Sequence, residues 1–169
     1  MRLFTAAAVL VGLTAPALAH VTVQPAAAVA GSYFEARFTV PHGCGGSATV
    51  ALRIKIPNGV TSVKPQMKPG WEIVTKTRSL DPPIRDHGRT ITETVDEVEW
   101  RGGKLPDSLY DTFGLVMKLP DSPDTTLYFL AVQECEQGIA RWIGIPAAGQ
   151  ARGELREPAP AVRLTPKSP

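Results

Sequence analysis

This sequence predicts an all-β protein, one antiparallel β-sandwich. Three features point there: abundant turn residues, short stretches of alternating hydrophobicity, and the lack of a convincing helical period. The 169 residues include 16 Pro and 15 Gly. Each interrupts a helix interior, which argues against a long-helix bundle, yet they are too dispersed for a disordered or collagen-like chain. Lys and Arg number 18 against 16 Asp and Glu, and the net charge of +2 is spread without basic runs. That charge pattern points away from nucleic acid and anionic lipid as partners.

Residues 21–23 read as a short first strand halted at Pro25, followed by a small-residue connection over 26–31. In the segment 33–40, Phe34, Ala36, Phe38 and Val40 alternate with Glu35, Arg37 and Thr39, the period of a half-buried strand. Over 49–56 the inward set is Val50, Leu52, Ile54 and Ile56, and Pro57-Asn58-Gly59 then supplies a turn. Further strands are expected at 71–77, 90–100, 110–118, 126–134 and 139–145, each bounded by Pro, Gly or Asp. About eight short strands bury their apolar faces most economically as two packed sheets. The segment 79–88 is expected as an exposed loop and 147–169 as an extended Pro-rich tail, which leaves 20–146 as the folded domain.

Residues 1–19 read as a secretory signal peptide. Arg2 precedes the apolar run 6–13, and Pro16 precedes the small-x-small triplet Ala17-Leu18-Ala19. The apolar run is shorter than the roughly 20 residues that a spanning helix needs, so no membrane span is expected in the mature protein. Cleavage after Ala19 makes His20 the first residue. Its α-amine and its imidazole Nδ1 can then close a chelate ring on one metal ion, a nitrogen pair that favours Cu(II). An exported chain meets oxidising conditions, so Cys44 and Cys135, the two cysteines, read as a disulfide rather than a thiolate metal site. A bridge closing about 90 residues contributes around 4 kcal/mol by chain-entropy arguments.

Other chemistry finds less support. The chain lacks a G-x-S-x-G elbow, an H-E-x-x-H pair and a Gly-rich phosphate loop. The acidic run Glu93, Asp96, Glu97 and Glu99 reads as a solvated strand face rather than a glycosidase pair. A two-histidine copper brace of the oxidative-enzyme type needs a second His, and the candidates His42 and His87 both read as loop residues. Of Trp71, Trp100 and Trp142, two are expected in the core or at the rim of a sheet, and one beside His20 would shield a bound cation. A structural sandwich that merely begins with His is the third reading.

Taken in order, His20-Val21-Thr22-Val23, Pro41-His42-Gly43-Cys44, Lys68-Pro69-Gly70-Trp71, Leu105-Pro106-Asp107 with Tyr110-Asp111-Thr112-Phe113, Leu127-Tyr128-Phe129, Gln133-Glu134-Cys135-Glu136 and Arg141-Trp142-Ile143 resemble the YcnI-like family of exported copper-binding domains. The resemblance spans nearly all of the mature chain. It implies a cupredoxin-like, immunoglobulin-like sandwich that binds one Cu(II) per chain through a mono-histidine brace. It further implies His20 as the brace, Trp142 as the neighbouring indole, and a carboxylate in the coordination sphere. Asp111, in a family-like segment that begins a strand, is preferred for that carboxylate, with Glu35 second. The implied role is periplasmic copper homeostasis, by capture or delivery, in cooperation with a small periplasmic copper chaperone. It implies a binding protein rather than an enzyme. Intact-mass measurement and N-terminal sequencing of the exported product are expected to give His20 as the first residue, and any other start removes the chelate.

Overall fold

The computed structural model describes residues 20–86 and 88–167. Residues 1–19 and His87, to which the signal peptide and one histidine candidate were assigned, lie outside the described residues. Twelve strands are found among those described: β1 (Thr22–Gln24), β2 (Ala27–Val29), β3 (Tyr33–Val40), β4 (Thr49–Lys55), β5 (Thr61–Pro65), β6 (Glu72–Asp86), β7 (Arg89–Leu105), β8 (Asp111–Lys118), β9 (Thr126–Tyr128), β10 (Ala131–Cys135), β11 (Ile139–Trp142) and β12 (Ala161–Thr165). They form a four-stranded sheet in the order β1-β3-β8-β5, a five-stranded sheet β11-β10-β4-β7-β6, and a three-stranded sheet β2-β12-β9. Pairing is antiparallel apart from β2 with β12.

Alternation decides what the sheets bury. Phe34, Ala36, Phe38 and Val40 of β3 all point into the core, as their period requires. Phe38 meets Phe129 edge to face at 5.3 Å, and Phe113 meets Trp100 in the same way at 5.5 Å. Burying a side chain of this size contributes about 1.5–3 kcal/mol over leaving it in water. On β4 the expected inward set fails at one position. Leu52, Ile54 and Ile56 are buried, but the register against β7 slips between Thr49 and Ala51, and Thr49 turns inward in place of Val50. A bulge of this kind re-aims the side chains on one side of it, and here it brings a hydroxyl into the core.

Three segments differ from the expected layout. Residues 79–86, expected as part of a loop, continue β6 out to the Asp86–Arg89 pair with β7, and the Pro82-Pro83 step is absorbed by a register shift between Ser79 and Ile84. Proline is tolerated there because β6 is the edge strand of its sheet. The expected strand 126–134 divides into β9 and β10, which join different sheets, with buried Phe129 at the crossing. Within the expected tail, residues 161–165 form β12. Its Val162 and Leu164 are completely buried, because β2 on one side and β9 on the other supply backbone partners.

The outer face of the five-stranded sheet carries cross-strand ion pairs. Lys55 and Arg78 both hold Asp96, at 2.6 and 2.9 Å, Lys76 holds Glu97, and Arg53 lies between Glu99 and Glu134. The acidic run thus serves as a strand face. The hydrogen bond from Lys55, and secondarily that from Arg78, holds the Asp96 carboxyl below its ordinary range despite partial burial.

Two outcomes follow from this packing. Leu164→Ala is expected to cost about 2–5 kcal/mol in urea unfolding, whereas a cost under about 0.5 kcal/mol would show that the last strand is not packed. The contribution of Asp96 is complete above the unfolded carboxylate range near 3.9 and fades as pH falls through the lower folded value. Asp96→Asn should therefore flatten the loss of stability in acid below about pH 4, read from unfolding curves at stepped pH.

Candidate metal centre

His20 is placed by the strand that follows it. Val21 is fully buried and Thr22 pairs with Thr39, so the first residues of β1 run along β3 at the outer edge of the four-stranded sheet. On the other sheet the edge strand is β11, where Ile139 and Arg141 are exposed and Trp142 turns inward, 6 % exposed. The two edges meet through their aromatic rings. The His20 imidazole and the Trp142 indole lie edge to face, 5.5 Å between centroids and 85° between planes.

Gln133 is fully buried beneath this pair. The Trp142 Nε1–H donates to Gln133 Oε1 at 3.1 Å. The Gln133 amide in turn donates to the His42 carbonyl and to Thr49 Oγ1, each at 2.7 Å. The Thr49 hydroxyl reaches Cys135 Sγ at 3.8 Å, and Cys135 is bridged to Cys44 with Cα atoms 5.9 Å apart. The turn that carries His42 is fixed as well. Its Nδ1 contacts the Gly43 carbonyl at 2.5 Å, and the Gly43 N–H donates to Asp107 Oδ1 at 3.0 Å. A Cβ on Gly43 would stand 1.8 Å from the Ser47 carbonyl oxygen, so the backbone folds this tightly only with glycine.

The two carboxylates are placed differently. Asp111 begins β8 opposite Val40, on the side of the strand that carries Phe113 and Leu115 into the core. Two strand spacings, about 10 Å, separate the backbones of β8 and β1. Lys68 occupies Asp111, with Nζ 2.7 Å from Oδ2, and Oδ1 accepts the Thr112 N–H at 2.7 Å. Lys68 also donates to the Thr112 carbonyl at 2.9 Å and sits 4.5 Å from the Phe113 ring. Glu35 lies on the outward face opposite Val116, its side chain 65 % exposed and 3.9 Å from Arg37. It stands four residues back from Thr39, about 13 Å along the strand. The structure brings His20 and Trp142 together, holds Asp111 in an ion pair with Lys68, and keeps Glu35 on the outward face further along β3.

Among the described residues, no group of three or more His, Cys, Asp or Glu side chains could hold a metal ion. A metal here would take its firm protein ligands from His20 itself. One observation tests that fit. His20 Nε2 is the one buried side-chain nitrogen or oxygen among the described residues without a hydrogen-bond partner. Leaving such an atom unpaired costs about 1–3 kcal/mol, only part of which an edge-to-face ring contact recovers. Nε2 is not the nitrogen that would close a chelate with the α-amine; that is Nδ1, and an imidazole with an amine is a donor set that suits a divalent metal of the later first row. Of the other two indoles, Trp100 lies in the core and Trp71 is half-buried against it. Trp100 is fully buried and donates to the Gln66 carbonyl at 3.2 Å, while Trp71 packs on Phe113 at 5.1 Å.

The sequence reading missed Gln133. Its signal was available, since alternation over Ala131, Gln133 and Cys135 puts an amide at an inward position, where an unpaired polar group is costly.

Comparison with known proteins adds three findings. The family described as "Domain of unknown function (DUF1775)" matches residues 20–164. The chain is 25% identical over 131 residues to the protein of Bacillus subtilis (strain 168) named "Copper-binding protein CutI". That alignment takes in 78% of this chain and 58% of the relative, so the chain spans little more than half of the relative's length. A solved structure titled "Crystal structure of an uncharacterized protein from Nocardia farcinica reveals an immunoglobulin-like fold" superposes with a TM-score of 0.64 at 25% identity, covering 86% of this chain and 98% of that one.

Proposed function

This chain belongs to the DUF1775 family, the one that the sequence reading reached as YcnI-like, and on that premise we propose that its mature form is a periplasmic Cu(II)-binding protein of copper homeostasis. The observation that carries the reading is the packing of the His20 imidazole edge to face with Trp142 at the start of β1. Two similarities support it. The relative in Bacillus subtilis is named for copper binding, and the family match begins at His20, the residue that cleavage after Ala19 would expose.

In this reading the α-amine and Nδ1 of His20 hold one Cu(II) as a bidentate pair, and the metal is cargo rather than a catalytic centre. Trp142 forms a wall beside the ion, keeps water from one side and offers its π face to positive charge. Asp111 is the carboxylate proposed to assist, and to do so it would have to leave Lys68, which holds it at 2.7 Å. Glu35, on the outward face and further along β3, is the weaker choice. So few protein ligands leave open positions on the metal, which suits capture and delivery, and a small periplasmic copper chaperone with Met and His ligands is the proposed exchange partner. The role proposed is binding, not catalysis.

Titration of the protein beginning at His20 with Cu(II), followed by electron paramagnetic resonance, is expected to show one tightly bound ion with nitrogen ligation. His20→Ala, or a single extra residue ahead of His20, should lower affinity on the order of 100-fold or more. An unchanged affinity and spectrum in both would overturn the reading, and reductant-dependent oxidation of a polymer by the loaded protein would replace it with an enzymatic one.

A further inference from the structure

We propose that Gln133 is the positioning residue of this centre: it sets the Trp142 indole in the orientation that fixes the His20 ring. The proposal rests on the reading of His20 as the metal-binding residue, and its geometry stands apart from any metal.

A glutamine amide offers one accepting oxygen and two N–H donors. All three functions of Gln133 are used, the oxygen by the Trp142 indole and the amide hydrogens by the His42 carbonyl and Thr49 Oγ1. Only one orientation of the amide serves them. Turned round, its NH2 would face an indole N–H that only donates, and its oxygen would face a carbonyl that only accepts. The side chain is fully buried, so water does not offer the indole a substitute acceptor.

The supports of Gln133 are rigid. Thr49 points inward because of the β4 bulge, and its hydroxyl reaches the sulfur of Cys135. The disulfide then joins that strand to the turn that presents the His42 carbonyl. The amide is thus held from two directions, by β4 and by the β3–β4 turn, and it passes that constraint to β11. The indole meets the His20 ring edge to face and carries the constraint to the first residue of the mature chain. A residue at the start of a chain is ordinarily the freest one; here its ring meets a surface whose rotation is set from below.

The test uses the protein beginning at His20 and near-isosteric Gln133→Met, read first without metal. In Gln133→Met the Trp142 indole proton is expected to exchange faster with solvent, and the His20 ring-proton resonances should lose the ring-current shift that Trp142 imposes. Cu(II) affinity should then fall about 10-fold, in the range found when partners that orient metal ligands are removed. In a Trp142→Phe background the same substitution should change affinity less than about 2-fold, because the route it acts through is gone. Unchanged His20 resonances in Gln133→Met, or an equal loss of affinity in both backgrounds, would overturn the assignment. If Gln133→Met does not fold, Gln133→Glu keeps an acceptor for the indole and is expected to retain the His20 shift; its loss in a folded protein counts against the proposal. Should His20→Ala bind Cu(II) as tightly as the parent, the copper reading fails, while the metal-free spectra still decide the role of Gln133.

Discussion

Closure between two sheet edges is the constraint on which the candidate centre depends. β1 and β11 belong to different sheets, each at its outer margin, and they share no backbone hydrogen bonds among the described pairings. An open margin of this kind exposes the interior of a sandwich unless something fills it. Here the filling is aromatic, an imidazole from one edge against an indole from the other. Apolar packing alone would leave those rings free to rotate, so direction has to come from hydrogen bonds. The fully buried Gln133 amide supplies it, and the disulfide makes its surroundings stiff.

A buried polar pair lies where the margin closes. Thr49 and Gln133 are both fully buried and bonded to each other, within a core that is otherwise mostly apolar. Such groups are tolerated because each finds a partner, and a half-paired network would be worse than an apolar one. The exception is His20 Nε2.

Strand β3 was legible in the sequence because one face is apolar without exception over Phe34, Ala36, Phe38 and Val40. That same alternation already put Glu35 on the outward side. The inward turn of Thr49 was not legible, since it follows from a register slip between strands rather than from any local pattern. β12 was hidden for a related reason. Its five residues carry the right alternation, but Pro158, Pro160 and Pro166 around them read as an extended tail, and the partners that order them lie far away in the chain. At the centre, His20 was readable from the cleavage triplet and Trp142 from family likeness. The ion pair of Lys68 with Asp111 was not, because two residues distant in sequence carry no sign that the fold will join them.

The parallel pairing of β2 with β12 has a consequence for the order of assembly. Thr165 donates to the Ala28 carbonyl across 137 residues of sequence, and the Ala30 N–H reaches back to Thr165. Contacts so distant along the chain form late, because the loop between them must close first. The early strand β2 therefore stays without its parallel partner until nearly the whole chain is available, whereas β1 finds β3 close by in sequence. One of the first segments made is among the last to be secured, and the final strand is what locks it into place.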